Sequence, residues 1–207
     1  DYHYTDISSQ ALWETALPPF EMGVKAGAAT VMSAFNDISG IPASANRYTM
    51  TDILRGKWGF DGFVVSDWGA VEQLKMQGVA ADDAEACRKA LTAGLDMDMV
   101  DDVYRRSLPE LIAEGAIAEE VLDEAVRRIL RVKFRMGLFE KPYVEELPDT
   151  TRYLRPEARA VARELAAESL VLLKNGSGVL PVRSGGKRTP LMGPMADNRI
   201  DLMGSWW

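Results

Sequence analysis

The strongest constraint on the fold of this chain is a repeated unit in the part before Gly137. Three short apolar runs alternate with helical patterns: Ala29-Thr-Val-Met-Ser-Ala-Phe35, Phe63-Val-Val-Ser66 and Leu95-Asp-Met-Asp-Met99. Their equivalent points, Thr30, Val64 and Leu95, are 34 and 31 residues apart, the length of one strand-plus-helix unit. The first two runs are apolar on both faces, as a parallel strand buried between helices must be. Alternating units of this kind predict an α/β architecture. Spacing alone leaves open a doubly wound sheet or a (β/α)8 barrel. A barrel needs eight strands and about 250 residues. With three strands legible, a barrel reading makes the chain roughly half of one, with open sheet edges.

Local signals set the helices between the strands. Ser8 is placed to cap a helix over Gln10–Leu17, interrupted by Pro18-Pro19 and resumed from Phe20 to Ala26, with Gly27 closing it. Thr51–Trp58 reads as a second capped helix, and Gly59-Phe-Asp-Gly62 as a turn. Asp82–Ala93 is a helix ended by Gly94, and two more run over 103–114 and 119–135. The pattern breaks after Gly137, where prolines and clustered charges destroy any period. The expected division is therefore a partial barrel over 1–141, a linker over 142–154, and the beginning of a second α/β domain over 155–207. That second part opens on Arg155-Pro156, continues as a helix over Ala158–Ser169, and passes into a strand at Leu170-Val-Leu-Leu173. Asn175-Gly-Ser-Gly178 then turns the chain. The terminal pair Trp206-Trp207 suggests a domain that this sequence does not complete.

Composition excludes several kinds of chemistry. Lys+Arg is 24 against 31 Asp+Glu, a formal net charge of −7, with no basic run. Nucleic-acid binding is not expected of such a surface. No stretch reaches the ~20 apolar residues of a membrane helix, so no membrane partner is expected. One Cys forbids an internal disulfide, and one His forbids a histidine-built metal centre. Cys87 lies at helical spacing with Ala84 and Leu91 and reads as a core residue. Gly185-Gly-Lys187 misses the phosphate-loop pattern, with Pro at 181 and Arg at 188. Asn175-Gly-Ser177 fits a weak glycosylation sequon. Carboxylates are the abundant chemical groups, so any catalysis falls to Asp and Glu.

Three clusters place such groups at strand ends, where parallel α/β folds bind ligands. In Phe63-Val-Val-Ser-Asp67-Trp68-Gly69 a buried strand ends on a carboxylate beside an aromatic ring. Asp67 is then a nucleophile or base, or else the cap of a following helix over about 71–77. Phe35-Asn36-Asp37 ends the preceding strand. Asn36 either binds hydroxyls or makes a turn toward Gly40. The acidic run Asp96, Asp98, Asp101, Asp102 either binds a hard cation or supplies strand-end and capping contacts.

The longer blocks carry a family resemblance. Val31-Met-Ser-Ala-Phe-Asn36, Pro42-Ala-Ser-Ala-Asn46, Asp52-Ile-Leu-Arg-Gly-Lys-Trp-Gly-Phe-Asp-Gly-Phe-Val-Val-Ser-Asp-Trp68 and Ala93-Gly-Leu-Asp-Met-Asp-Met99 resemble glycoside hydrolase family 3. The bacterial periplasmic β-glucosidase type is the most similar. Val126 to Phe139, Glu168 to Asn175, and Gly193-Pro-Met-Ala-Asp197 agree with it in order. The resemblance implies the second part of a (β/α)8 TIM-type barrel followed by the start of an α/β sandwich. It implies a retaining exo-β-glucosidase acting on a β-glucoside or oligosaccharide, with no metal and no organic cofactor. Asp67 matches the nucleophile, and Trp68 matches a residue lining the glucose subsite. Phe35 stands where many relatives carry a Tyr, and Asn36 adjoins it. Similar bacterial enzymes place a Glu acid/base six residues after the nucleophile. Here that position is Gln73, and the adjacent Glu72 becomes the acid/base candidate. The family's Lys-His pair and its sugar-binding Arg and Asp match no residue of this sequence. The alternative is an inactive fragment or degenerate relative that binds sugar without catalysis. A partial barrel is also expected to self-associate or to pair with the missing barrel half. Localisation by resemblance is periplasmic or secreted; the sequence begins with Asp and shows no signal peptide.

Overall fold

The computed structural model describes residues 4–144, 155–182, 190–198, 200–201 and 204. The chain divides into two compact units, Asp1–Glu145 and Glu146–Trp207.

The first unit opens on α1 (Ser9–Ala11), whose first turn is capped by Ser8 Oγ accepting from the Ala11 N–H at 3.1 Å. The prolines do not interrupt the helix as expected. A π-helical turn over Leu12–Ala16, closed by Leu17 N–H to Leu12 O at 3.0 Å, leads directly into α2 (Pro18–Lys25). The wider turn sets Pro18 at the first position of α2, where its missing N–H costs nothing. The next helix also differs. It spans Tyr48–Lys57 with π-type turns and starts before Thr51, because Asn46 Oδ1 accepts from Thr49 N–H at 3.1 Å. Thr51 instead reaches across the fold and donates to Ala93 O at 2.8 Å.

β1 (Thr30–Met32) pairs in parallel with a later strand at Phe63–Val65, in register Thr30 with Phe63 and Met32 with Val65. Between them lies a hairpin of β2 (Asp37–Ile38) and β3 (Ile41–Pro42), turned by Ser39 and Gly40, both at positive φ. The Phe63–Val65 strand is thus β4. Val64 is fully buried, but β1 is not the two-faced buried strand expected: Met32 is 50% exposed. The second edge of β1 has no strand partner among the described residues.

The third expected strand is reduced to one parallel bridge, Val65 with Met97. The reason lies in the Asp96 side chain. Its Oδ2 takes the Val64 N–H at 2.7 Å, the group that a backbone carbonyl takes in a continuous ladder. The same carboxylate binds Arg55 at 2.5 Å and, through Oδ1, Arg128 at 2.8 Å. Arg55 also donates to Gly62 O and Gly94 O, and its guanidinium lies over the Phe60 ring. One buried aspartate thus joins β4, the Tyr48–Lys57 helix and a late helix. The helices after β4 are α3 (Gln73–Met76), α4 (Asp83–Ala93), α5 (Val103–Ala113) and α6 (Glu119–Arg135). Asp82 caps α4 through Glu85 N–H at 2.8 Å, and Gly94 ends it at φ 109°. Leu54, Val64, Leu74, Cys87, Leu95 and Val103 form the centre of the core.

Gly62 shows how tightly the turn before β4 packs. A Cβ there would lie 2.0 Å from Ala29 O, a backbone atom that has no room to yield. Gly62→Ala is expected to destabilise the fold by about 3 kcal/mol. A urea-unfolding midpoint within error of the wild type would contradict this.

The second unit contains α7 (Pro156–Glu168), entered from an extended Arg155, as the residue before a proline prefers. The strand expected at Leu170–Leu173 does not form. All four residues are exposed, and no strand among the described residues pairs with them. Asn175 ties the following turn through Nδ2 to Leu180 O at 2.7 Å and Oδ1 from Leu180 N–H at 3.1 Å. Most of the expected linker, the Gly185-Gly-Lys187 loop and Trp206-Trp207 lie outside the described residues.

Candidate active site

Ser66, fully buried, lies directly after β4 and anchors the turn beyond it. Its N–H donates to Met97 O at 2.8 Å, and its Oγ accepts from Met99 N–H at 2.8 Å. The chain then turns through Asp67, Trp68 and Gly69, with Gly69 at φ 66° donating to Met99 O at 3.0 Å. Asp67 therefore stands just past the C-terminal end of a parallel strand on an anchored turn. Its Oδ1 accepts from Trp68 N–H at 2.7 Å. Among the described residues its Oδ2 accepts no hydrogen bond. Asp67 does not cap α3: that helix begins at Gln73, and the Gln73 N–H donates to Gly69 O. A carboxylate with one oxygen oriented and the other available can act as a nucleophile, a base or a hydrogen-bond acceptor. The Trp68 ring is 51% exposed beside it.

Phe35, after β1, lines a pocket of about 460 Å³ with Tyr4, Asp37, Gln73, Met76 and Gln77. Two glutamines tie this pocket to its neighbours. Gln77 Nε2 donates to Phe35 O at 2.8 Å, joining the loops that follow β1 and β4. Gln73 Nε2 donates to Trp68 O at 3.4 Å, linking the pocket to the Asp67 turn. Gln77 is a pocket residue that the sequence reading misses. Its spacing of four from Gln73, one helical turn along the same face, is the signal that pointed to it.

The other candidates are placed differently. Asn36 donates both amide hydrogens within the protein, to Thr5 Oγ1 at 3.0 Å and Asp37 O at 2.9 Å. Its neighbour Asp37, buried, accepts from Thr5 N–H at 2.7 Å. Asn36 thus serves the turn and offers a ligand at most an acceptor. The Glu72 carboxylate lies 3.5 Å from Lys75 Nζ. Lys75 in turn pairs with Asp83, and Asp83 with Arg106 at 2.7 Å. These pairings hold the Asp83 carboxyl below its ordinary range and, chiefly through Asp83, the Lys75 ammonium above its own. Glu72 would have to leave this ionic cluster to reach a substrate.

The acidic run divides into separate structural tasks. Asp96 holds Arg55 and Arg128, and Asp98 Oδ2 accepts from Tyr104 N–H at 3.1 Å. Asp101 accepts from Glu72 N–H at 2.8 Å, and Asp102 pairs with Arg105. Among the described residues no group of three or more His, Cys, Asp or Glu could hold a metal ion.

The geometry matches known proteins. The Glycosyl hydrolase family 3 N terminal domain matches residues 1–132. A periplasmic β-glucosidase of Salmonella typhimurium is 43% identical over 211 residues, covering 100% of this chain and 28% of its own length. A putative β-xylosidase of Formosa agariphila is 34% identical, covering 96% of this chain and 27% of its own. The β-glucosidase of Listeria innocua in complex with glucose superposes with a TM-score of 0.77 at 42% identity, over 88% of this chain and 25% of that one. The chain thus spans about a quarter of the length of the relatives it matches. Its α/β architecture is part of a TIM-type barrel. On both the profile match over most of its length and the structural likeness, the chain belongs to glycosyl hydrolase family 3.

Proposed function

We propose that this chain supplies the nucleophile side of the active site of a retaining, exo-acting β-glucosidase, with Asp67 as the nucleophile. One observation carries the reading: Asp67 stands at the end of β4 with Oδ1 held by Trp68 N–H, Oδ2 open, and an exposed Trp68 ring alongside. In the first step Asp67 attacks the anomeric carbon, and the bond from that carbon to the aglycone oxygen breaks. An acid gives the leaving oxygen its proton. Water then cleaves the glycosyl ester, returning its proton to the same acid. Neither step calls for a metal or an organic cofactor. Trp68 offers a flat face to the sugar ring. Phe35 keeps the ring of the Tyr found in many relatives but brings no hydroxyl. The proposed substrate is a terminal β-D-glucosyl residue of a glucoside or oligosaccharide. The proposed setting is periplasmic or secreted, as the Salmonella relative's name describes that protein.

A second reading is favoured by Glu72 and Gln73. Gln73 has no acid proton and is turned to Trp68 O, while Glu72 is engaged with Lys75. On that reading the chain binds sugar without turning it over. A 2-deoxy-2-fluoro-glucoside with a good leaving group separates the two, because its first step depends little on an acid. Intact-mass spectrometry should show a glycosyl adduct that maps to the peptide containing Asp67. A folded chain that binds glucose but forms no adduct would establish the non-catalytic reading for this chain.

A further inference from the structure

The turn that carries Asp67 and Trp68 is stapled from one side by the segment from Met97 to Asp101. Three of the staples involve its backbone: Ser66 N–H to Met97 O, Gly69 N–H to Met99 O, and Met99 N–H to Ser66 Oγ. The fourth is a side chain, Asp101 Oδ2, which accepts from Glu72 N–H at 2.8 Å. Asp101 Oδ1 also accepts from Val103 N–H at 3.4 Å. The Asp98 carboxyl lies beside it, the two side chains taking the adjacent amides of Tyr104 and Val103 at the start of α5. Asp98 Oδ2 accepts from Tyr104 N–H, but Asp98 Oδ1 is buried and accepts nothing. A buried carboxylate oxygen left in this state is costly. A proton on Asp98, donated to Asp101, removes the cost.

We propose that Asp101 is a positioning residue for the nucleophile turn, and that a proton shared with Asp98 keeps it in place. Burial, with Asp101 close by, raises the Asp98 carboxyl to about 7. Below that pH Asp98 donates to Asp101, and the Glu72 staple holds. Above it two like charges meet in a half-buried site, and the staple loosens. Other titratable and charged groups face Asp98 from the elements packed around it. Cys87 on α4 is pushed up to about 12 by burial, and the Tyr104 phenol on α5 is raised well above 10. Asp96 is held by Arg55 and Arg128, Arg106 donates to Asp101 O and to Asp83, and Lys75 lies between Glu72 and Asp83. Asp98 binds its proton more tightly in the folded state than in the unfolded one. Its contribution to stability is therefore complete below about pH 4 and is lost as pH rises to about 7.

The functional consequence rests on the glucosidase reading, but the contact can be read without any activity. In the 15N-labelled 207-residue chain, the Glu72 amide resonance is expected to shift with a midpoint near pH 7. Its exchange protection should fall at least about tenfold above that point. In Asp98→Asn an amide N–H replaces the shared proton at every pH, so the transition should vanish and protection persist at pH 9. Asp101→Ala should leave Glu72 unprotected throughout. A Glu72 amide without a transition between pH 5 and 9, or a transition that survives Asp98→Asn, overturns the proposal. In a chain that reacts with the fluoroglucoside, Asp98→Asn should extend the labelling rate to higher pH and leave the reagent's binding constant unchanged. Absence of labelling counts against the glucosidase reading alone, since the amide data decide the carboxyl pair independently.

Discussion

Replacing Asp67 with asparagine is expected to abolish covalent labelling by the fluoroglucoside. In a polypeptide of the relatives' full length carrying this segment, it should lower turnover by at least about 10³-fold, or about 4 kcal/mol of transition-state stabilisation. The substitution is nearly isosteric. Its Oδ1 can still accept the Trp68 N–H, so the turn pinned by Met97 and Met99 should persist. The change removes the anionic oxygen that would form the glycosyl ester. The effect should fall on the chemical step, with ground-state binding of glucose retained through Trp68. Turnover within tenfold of the parent would remove Asp67 from the nucleophile role. Loss of glucose binding together with activity would show that Asp67 matters for the pocket's shape.

The largest expected effect on stability is at Asp96. Asp96→Ala should destabilise the first unit by about 4 kcal/mol, the range for breaking a buried ion pair by removing one partner. The Asp96 side chain is 1% exposed, that of Arg55 12% and that of Arg128 22%. Alanine would leave the half-buried Arg55 guanidinium without its anion, Arg128 with Glu124 alone at 3.4 Å, and the Val64 N–H without an acceptor. Burial already lowers the Arg55 pKa, and the facing Asp96 carboxylate opposes that shift. The Arg55 Nε is already buried with no partner. Urea unfolding should show a lower midpoint with the slope unchanged. A loss below 1 kcal/mol would mean that water enters and solvates the arginines.

Much of the local structure was legible because it depends on near neighbours. Ser8 and Gly94 cap helices where the sequence placed them, since a cap is satisfied within three or four residues. The parallel pairing of the runs at Thr30 and Phe63 agrees with their repeat. Cys87 is buried on α4 as its spacing requires. The failures share a cause. Pro18 reads as a break in the sequence because a π-turn, which sets the register that makes Pro18 a first residue, leaves no signature in composition. Thr51 reads as a cap, but its acceptor is 42 residues away at Ala93. Leu170–Leu173 has the pattern of a strand and lacks a partner strand among the described residues. A strand is a property of a pair, and propensity cannot supply the second member.

The site divides in the same way. By itself the sequence determined the chemical inventory: carboxylates in place of histidine or thiolate, a strand ending in Asp67-Trp68, and the family pattern that runs through it. Tertiary structure alone decided the task of each carboxylate. Asp96, Asp98, Asp101 and Asp102 lie within seven consecutive residues and look interchangeable in sequence. In the fold they face Arg55 and Arg128, a helix N–H, the turn after Asp67 and a surface arginine respectively. A carboxylate's role is set by burial and by the partner that reaches it, and those partners come from up to 41 residues away, as with Arg55 and Asp96. Sequence order records which groups are present, whereas only folding brings their charges within a few ångströms, where their interaction becomes large.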